Sequence, residues 1–131
     1  EMVKADSGGV KSALKALNRG EVIIMASDQV PKNKNGIISN FFGTPAFSVS
    51  LVSSLATRTE SPCHSVSCIR QKRGKGYRII FSEKLEKLNT LDVQEGVNLM
   101  NTELEKCIMK APEQYAWEYK RFKHSKFKNP Y

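Results

Sequence analysis

Residues 10–29 read VKSALKALNRGEVIIMASDQ, and this stretch decides the predicted fold. Apolar side chains recur at helical spacing in its first half, so residues 10–18 are predicted to form an amphipathic helix that ends before Gly20. The unbroken apolar run at residues 22–26 is typical of a strand that is buried on both faces of a parallel sheet. A helix, a short turn and a buried strand make half of an α/β unit.

Polar side chains follow the predicted strand directly. Asp28 and Gln29 stand at its carboxyl end, where open α/β sheets bind their ligands. Two interpretations of Asp28 remain open, because a carboxylate at this point either belongs to a ligand site or caps a turn or helix.

Turn and capping signals divide the rest of the chain. Pro45 suits the first turn of a helix, and apolar residues then keep to one side through Thr57. Strands are predicted at residues 63–69 and 76–81, with a hairpin turn at residues 74–76.

The last third of the chain is predicted to be helical. Asp92 with Glu95 resembles a capping box, and the helix that it starts ends before Pro112. A second, short helix is predicted at residues 112–119. The chain as a whole is therefore assigned to the α/β class, as a partial mixed sheet flanked by helices.

Length and composition limit the classes of protein. The chain has 131 residues, 40% of them apolar, and a formal net charge of +8. These values fit one domain or a large piece of one. The longest apolar run, residues 22–26, is far too short for a transmembrane helix. The positive charge indicates an anionic partner such as a phospholipid surface, a phosphorylated ligand or a nucleic acid.

The positive charge is concentrated in two patches, whereas residues 35–57 carry no ionisable side chain. Residues 70–78 and the tail at residues 120–131 each hold five basic residues and no acidic one, interleaved with aromatic rings. A solvated face is the simplest interpretation of such a run. A basic, noncatalytic module that binds anionic lipid or nucleic acid is the alternative to an enzyme.

Few motifs of known chemistry are present. The three cysteines show no CxxC spacing, which argues against zinc and for buried thiols in a reducing compartment. Phe41, Phe42 and Gly43 lie in the uncharged segment, either as core residues or as one wall of an apolar pocket of acyl size.

Several short blocks occur along the chain in a distinctive order. They are Val22 to Met25 with Asp28-Gln29, Phe41-Phe42-Gly43-Thr44-Pro45-Ala46, Leu55-Ala56 with Pro62, Arg70 with Gly76-Tyr77, Asn101 with Glu105 and Ile108, and Pro112-Glu113-Gln114-Tyr115-Ala116-Trp117 with Arg121-Phe122-Lys123. Together these blocks resemble the C-terminal half of the bacterial lipid A biosynthesis lauroyl/myristoyl acyltransferases, from about Val10 to Lys123.

The resemblance implies a fold, a reaction and a place in the cell. The fold is the C-terminal part of a lysophospholipid-acyltransferase-like domain. The reaction moves a fatty acyl group from the thioester of acyl carrier protein to a hydroxyl of a phosphorylated lipid A precursor. It takes place at the cytoplasmic face of the bacterial inner membrane, without metal or organic cofactor. No nucleic-acid partner is expected, because the chain carries no recognised nucleic-acid motif and the uncharged residues 35–57 suit an acyl site better.

This chain departs from the family at the catalytic motif. In the family, the histidine of a His-x4-Asp motif is the general base and the aspartate orients it. That motif lies upstream of the part matched here. Ile69 stands five residues after His64, and Asn129 stands five after His124. Residues 1–131 are therefore predicted to be the C-terminal portion of a single acyltransferase domain and to be inactive alone.

The resemblance also suggests roles for individual residues. Asp28 and Gln29 would line the polar end of the cleft, and Phe41, Phe42 and Gly43 would shape the acyl channel. Further basic residues would face anionic lipid headgroups: Lys72, Arg73, Lys75, Arg121 and Lys123.

Three more expectations concern Arg70, Trp117 and the sheet edges. Arg70 would grip a phosphate of the acceptor, since a guanidinium binds phosphate in a bidentate manner. Trp117 would either lie at the membrane interface or anchor the last helix to the core. Open sheet edges would favour self-association of the isolated chain.

Overall fold

Three helices and two β-hairpins form the part of the chain that the computed structural model describes, which is residues 2, 6–31, 36–123 and 131. In chain order the elements are α1 (Ser7–Asn18), β1 (Gly36–Phe41), β2 (Thr44–Val49), α2 (Leu51–Thr59), β3 (Val66–Arg70), β4 (Tyr77–Phe81) and α3 (Val93–Ile108). Within these residues, no helix has the length and apolar character needed to cross a bilayer.

Side-chain caps fix the starts of α1 and α3. The Asp6 carboxylate accepts a hydrogen bond from the Gly9 amide at 2.9 Å, and Asp92 accepts one from the Glu95 amide at 2.8 Å. Each cap satisfies an amide that the first helical turn leaves without a partner. The helices predicted at residues 10–18 and from Asp92 onward are confirmed.

The strand predicted at residues 22–26 is wrong. No described strand pairs with this segment, and the side chains of Val22 and Ile24 are 88% and 92% exposed. A strand needs a neighbour that completes its ladder of backbone hydrogen bonds, and an apolar run does not supply one. The mixed sheet is also wrong for the described residues, because both of their sheets are two-stranded and antiparallel.

The helix predicted from Pro45 is wrong over its first part. Residues 44–49 form β2, which pairs with β1, and the helix α2 begins only at Leu51. Phe42 and Gly43 join the two strands with φ angles of +48° and +74°. A tight hairpin with positive φ at both turn positions matches the right-handed twist of the strands. The pairing across this turn outweighs the helix signal at Pro45.

The second hairpin confirms the two strands predicted on either side of residues 74–76. β3 pairs with β4 in antiparallel register, from Val66 opposite Phe81 to Arg70 opposite Tyr77. The predicted helix at residues 112–119 is reduced to one 3₁₀ turn, Pro112–Gln114.

The core lies where α3 crosses the first hairpin and α2. Val97, Met100 and Ile108 of α3 are buried. A Cβ added at Gly96 would stand 2.1 Å from the Ser53 hydroxyl oxygen, so glycine permits the close approach of α3 and α2. The α/β class is confirmed in this form, and the lysophospholipid-acyltransferase-like fold stays a prediction.

Candidate functional site

A buried polar network ties α3 to the first hairpin. Asn101 is 2% exposed, and its side-chain amide donates to Ser39 Oγ at 3.1 Å, to the Asn40 carbonyl at 2.9 Å and to Ser48 Oγ at 2.9 Å. The network therefore fixes where the turn at Phe42 and Gly43 lies relative to α3.

Arg121 completes this network from the C-terminal side. Its Nη1 donates to the Phe47 carbonyl at 2.8 Å and its Nη2 donates to Ser48 Oγ at 2.7 Å. The guanidinium also lies 4.9 Å from the centre of the Phe41 ring. Because Arg121 is only 3% exposed, its predicted role as a contact for an anionic surface is wrong.

Asp28 lies beside Tyr115, Tyr119 and Arg121, and we call these four residues the polar cluster. The Tyr119 hydroxyl accepts a hydrogen bond from the Val30 amide at 2.8 Å, which holds the segment after residues 22–26 against the C-terminal part of the chain. Asp28 acts on the Tyr115 hydroxyl through its charge and through a hydrogen bond. Asp28 therefore has interaction partners that lie far away in sequence, as a residue of a ligand site would.

Burial and charge shift the ionisation of this cluster. Burial, followed by the negative charge of Asp28, raises the pKa of Tyr115 to about 12, while Arg121 opposes the rise. Burial lowers the pKa of Arg121, and the neighbouring Tyr115 and Asp28 side chains oppose that change. At neutral pH the Tyr115 phenol is therefore protonated.

Because the pKa of Tyr115 is raised, the stability of the fold is expected to fall at alkaline pH. An unfolded chain releases the phenol proton near pH 10, whereas the folded chain holds it to about pH 12. The stabilisation that the protonated Tyr115 adds to the free energy of unfolding is therefore fully present below about pH 10 and is lost as the pH rises to about 12. Urea denaturation across this range should show a smaller loss for Tyr115→Phe than for the unaltered chain. The matched change Tyr77→Phe, at an exposed phenol, should leave the loss in place, and an equal loss in both variants would contradict the prediction.

Aromatic rings contact the polar cluster at Arg121 and include the ring of Tyr115. We call Phe41, Phe42, Tyr115, Trp117 and Phe122 the aromatic cluster. Their ring centres lie 4.9 to 6.2 Å apart in successive pairs.

Residues that are neighbours in sequence differ in burial at the aromatic cluster. Phe41 is 1% exposed, as expected of a core residue, whereas Phe42 is half-buried and Gly43 is exposed. The Phe42 amide donates to Glu105 Oε1 at 2.7 Å, which fixes the turn. Trp117 is 53% exposed, although its ring packs on two neighbours.

A second feature is an open groove of about 470 Å³ between the loop after β3 and the end of α3. We call it the basic groove, and five cationic side chains line it: Arg70, Lys72, Arg73, Lys75 and Lys110. The Gln114 side chain accepts from the Arg70 amide at 2.9 Å and donates to the Arg70 carbonyl at 3.2 Å. Four residues predicted from the sequence therefore share one wall, and Gln114 joins that wall to the segment that carries Tyr115.

The remaining predicted residues lie apart from these features. Gln29 is exposed, and Lys123 is exposed with its ammonium 5.6 Å from the centre of the Tyr119 ring. The tail predicted at residues 120–131 lies mostly outside the described residues. Over the described ranges, no three His, Cys, Asp or Glu side chains converge to hold a metal ion. Burial raises the pKa of the Cys63 thiol.

Residues 1–124 match the bacterial lipid A biosynthesis acyltransferase family, and the chain belongs to that family. Three relatives show how much of such a protein it represents.

The lipid A biosynthesis lauroyltransferase of Escherichia coli strain K12 is 31% identical over 119 residues, which are 90% of this chain and 39% of that protein. The palmitoleoyltransferase of the same strain is 31% identical over 109 residues, or 82% of this chain and 35% of that protein. The lipid A biosynthesis acyltransferase of Shigella flexneri has the same identity and coverage. The chain thus spans less than two-fifths of the length of each relative.

Sequence reasoning missed three residues of these sites. Residue type and position in the sequence indicate no ligand-site role for Tyr115, Lys110 or Gln114. The block at residues 112–117 contained the signal, because it stands between two basic patches and holds both the tether to Arg70 and the partner of Asp28. Only the folded chain brings Lys110 to the basic loop.

Proposed function

We propose that this chain forms the C-terminal portion of an acyltransferase that moves a fatty acyl group from acyl carrier protein to a hydroxyl of a phosphorylated lipid A precursor. Membership of the lipid A biosynthesis acyltransferase family is the observation that carries this proposal. The reaction would take place at the cytoplasmic face of the bacterial inner membrane. The chain holds no His-x4-Asp pair, so it would be inactive alone.

The arrangement of the polar and aromatic clusters supports an acyl substrate. Tyr115, the partner of Asp28, packs on the exposed ring of Trp117, which in turn packs on the half-buried ring of Phe42. Apolar walls with a few well-placed polar groups are typical of small-molecule sites. In this proposal Asp28, together with the neighbouring Gln29, marks the polar end of the cleft, and Phe42 with Gly43 lies toward the acyl chain.

An exchange experiment tests the proposal. The matched segment of the E. coli lauroyltransferase is replaced by this chain, and the hybrid is incubated with lauroyl acyl carrier protein and the phosphorylated precursor. We expect acylated product by mass spectrometry from the hybrid and none from this chain alone. Product from the chain alone would contradict its predicted inactivity. A folded hybrid without product would contradict the assignment of acyl transfer.

Asp28 provides a sharper test within the same hybrid. Replacing Asp28 with alanine is expected to lower turnover by about 10²-fold, because a misplaced catalytic or substrate group costs about this much. The matched change Glu118→Ala removes an exposed carboxylate and should leave turnover unchanged. Thermal unfolding of both variants checks that the fold is retained. Equal turnover in the two variants would remove Asp28 from the site.

A further inference from the structure

The second hairpin is covered on one face only. On its inner face Ser67 is buried, Ile69 and Ile80 are half-buried, and β3 contacts α3. Neighbouring residues of a strand alternate between the two faces of a sheet, so the residues between these point outward. We call the outward side the apolar face, and it is formed by Val66, Cys68, Tyr77, Ile79 and Phe81.

The apolar face is open to solvent. Val66 is 49% exposed, Tyr77 69%, Ile79 61% and Phe81 67%, and Cys68 is exposed as well. The register places Val66 opposite Phe81 and Cys68 opposite Ile79, so these side chains form one continuous patch. Because contact between water and such a patch is unfavourable, large continuous apolar patches mark sites of interaction.

The size of the chain indicates what covers the apolar face. The chain spans less than two-fifths of the length of each relative described above, so more than three-fifths of such a protein lies outside it. A second apolar segment is equally open, because Val22 and Ile24 are 88% and 92% exposed. A two-stranded hairpin also needs further packing to be stable. The rest of the domain would cover both surfaces.

The charges around the apolar face favour a protein over a bilayer as its partner. The basic loop lies at one end of the hairpin, but the segment after β4, at the other end, holds Glu83 and Glu86 beside Lys84 and Lys87. Lys84 pairs with Glu86 at 3.0 Å, so this end adds no net attraction for anionic lipid. An apolar protein surface, in contrast, needs no basic charge at either end.

We infer that the apolar face is an interaction surface that receives an apolar face of the rest of the acyltransferase domain. The inference rests on the proposed function, in which this chain is the C-terminal portion of that domain. It assigns the contact to side chains on the face of the hairpin, whereas self-association as expected from the sequence would use the free edges of the strands. Such a contact buries Ile79 and Phe81, which the chain alone leaves exposed.

Cys68 provides a native probe at the centre of the apolar face, because it is exposed and lies opposite Ile79. The rate of its reaction with N-ethylmaleimide is measured in the full 131-residue chain and in the folded hybrid with the E. coli lauroyltransferase. Tandem mass spectrometry of the digested proteins distinguishes Cys68 from Cys63. The control Lys11→Cys places a thiol at an exposed position of α1 in both proteins.

We expect Cys68 to react at least about tenfold more slowly in the hybrid than in the chain alone, because the covering surface excludes the reagent. The control thiol should react at rates that agree within about threefold in the two proteins. Equal rates for Cys68 in the two proteins would overturn the inference. A slow reaction in the dilute chain alone would overturn it as well, since the face would then be closed already.

A substitution on the apolar face tests the same contact through stability. Ile79→Lys should change the melting temperature of the chain alone by less than about 2 °C, because the side chain is exposed there. In the hybrid it should lower the melting temperature by at least about 4 °C, because the lysine would be buried in an apolar contact. The matched change Thr102→Lys adds the same charge at an exposed position of α3. Equal shifts for the two variants in the hybrid would contradict the inference.

The experiment also covers a hybrid that does not fold and other partners of the face. In the first case the unmatched part of the lauroyltransferase is co-expressed with this chain, and the labelling is repeated on the co-purified complex; absence of a complex would overturn the inference. Protection of Cys68 by phosphatidylglycerol vesicles but not in the hybrid would assign the face to a bilayer. Protection only at high concentration of the chain alone would assign it to a second copy. Either result would replace the inference.

The activity of the hybrid is read separately from the protection of Cys68. A protected Cys68 in a folded hybrid that forms no acylated product would contradict acyl transfer and keep the inference. Acylated product from a hybrid in which Cys68 reacts as fast as in the chain alone would keep the proposed function and overturn the inference.

Discussion

Replacing Arg121 with methionine is expected to lower the free energy of unfolding by about 3–5 kcal/mol. The Phe47 carbonyl and Ser48 Oγ would lose their hydrogen bonds from a charged donor, at 2.8 Å and 2.7 Å. The Phe41 ring would lose its cation, and Asp28 would lose a nearby positive charge. Methionine keeps much of the volume, so the loss measures the polar contacts more than a cavity. Urea denaturation followed by the fluorescence of Trp117, the single tryptophan, measures the change.

Lys123 offers a matched control for this change. Lys123→Met removes the same charge from an exposed side chain two residues away, and it should change stability by no more than about 0.5 kcal/mol. If Arg121→Met were as mild as Lys123→Met, the buried guanidinium would not hold the hairpin as described.

The second large effect is expected at Asn101. Asn101→Ala should lower the free energy of unfolding by about 2–4 kcal/mol, because it removes the amide that donates to Ser39, Asn40 and Ser48 and leaves space in the core. The comparison change Asn98→Ala, one turn earlier at an exposed position of α3, removes only the acceptor to which Ser39 Oγ donates at 2.8 Å, so it should cost less, about 1 kcal/mol. Equal costs at the two positions would contradict the central place of Asn101 in the network.

The two large effects should not be independent. Asn101 and Arg121 both donate to Ser48 Oγ. Residues that share a partner commonly couple by at least about 0.5 kcal/mol, so the double variant should differ from the sum of the single changes. A sum that is additive within error would mean that each side chain holds the hairpin separately.

Local signals predicted the helices better than they predicted the sheets. The caps at Asp6 and Asp92 act within three residues, so the starts of α1 and α3 depend on neighbours in sequence. Residues 22–26 and Pro45 also carry local signals, but strand pairing decided both outcomes. Residues 22–26 have no described partner strand, whereas β2, which contains Pro45, pairs with β1.

The sequence predicted several residues of the candidate site individually, but it did not predict which of them lie together. Asp28, Phe42 and Arg70 were each singled out by residue type and position. Their grouping was not predictable, because Asp28 meets Tyr115 and Arg70 meets Gln114 through contacts that span many residues. The burial of Arg121 was equally hidden, since a basic run in a tail normally predicts a solvated face.

By itself the sequence determined the family, the net charge of +8, the two basic patches and the capped helices. These properties depend on composition or on short-range hydrogen bonds. Only the tertiary structure decided which apolar run became a strand, that Arg121 turned inward and that Lys110 joined the basic groove. Those outcomes depend on partners far away in the chain, because a ladder, a buried charge and a concave surface each need a second element to exist.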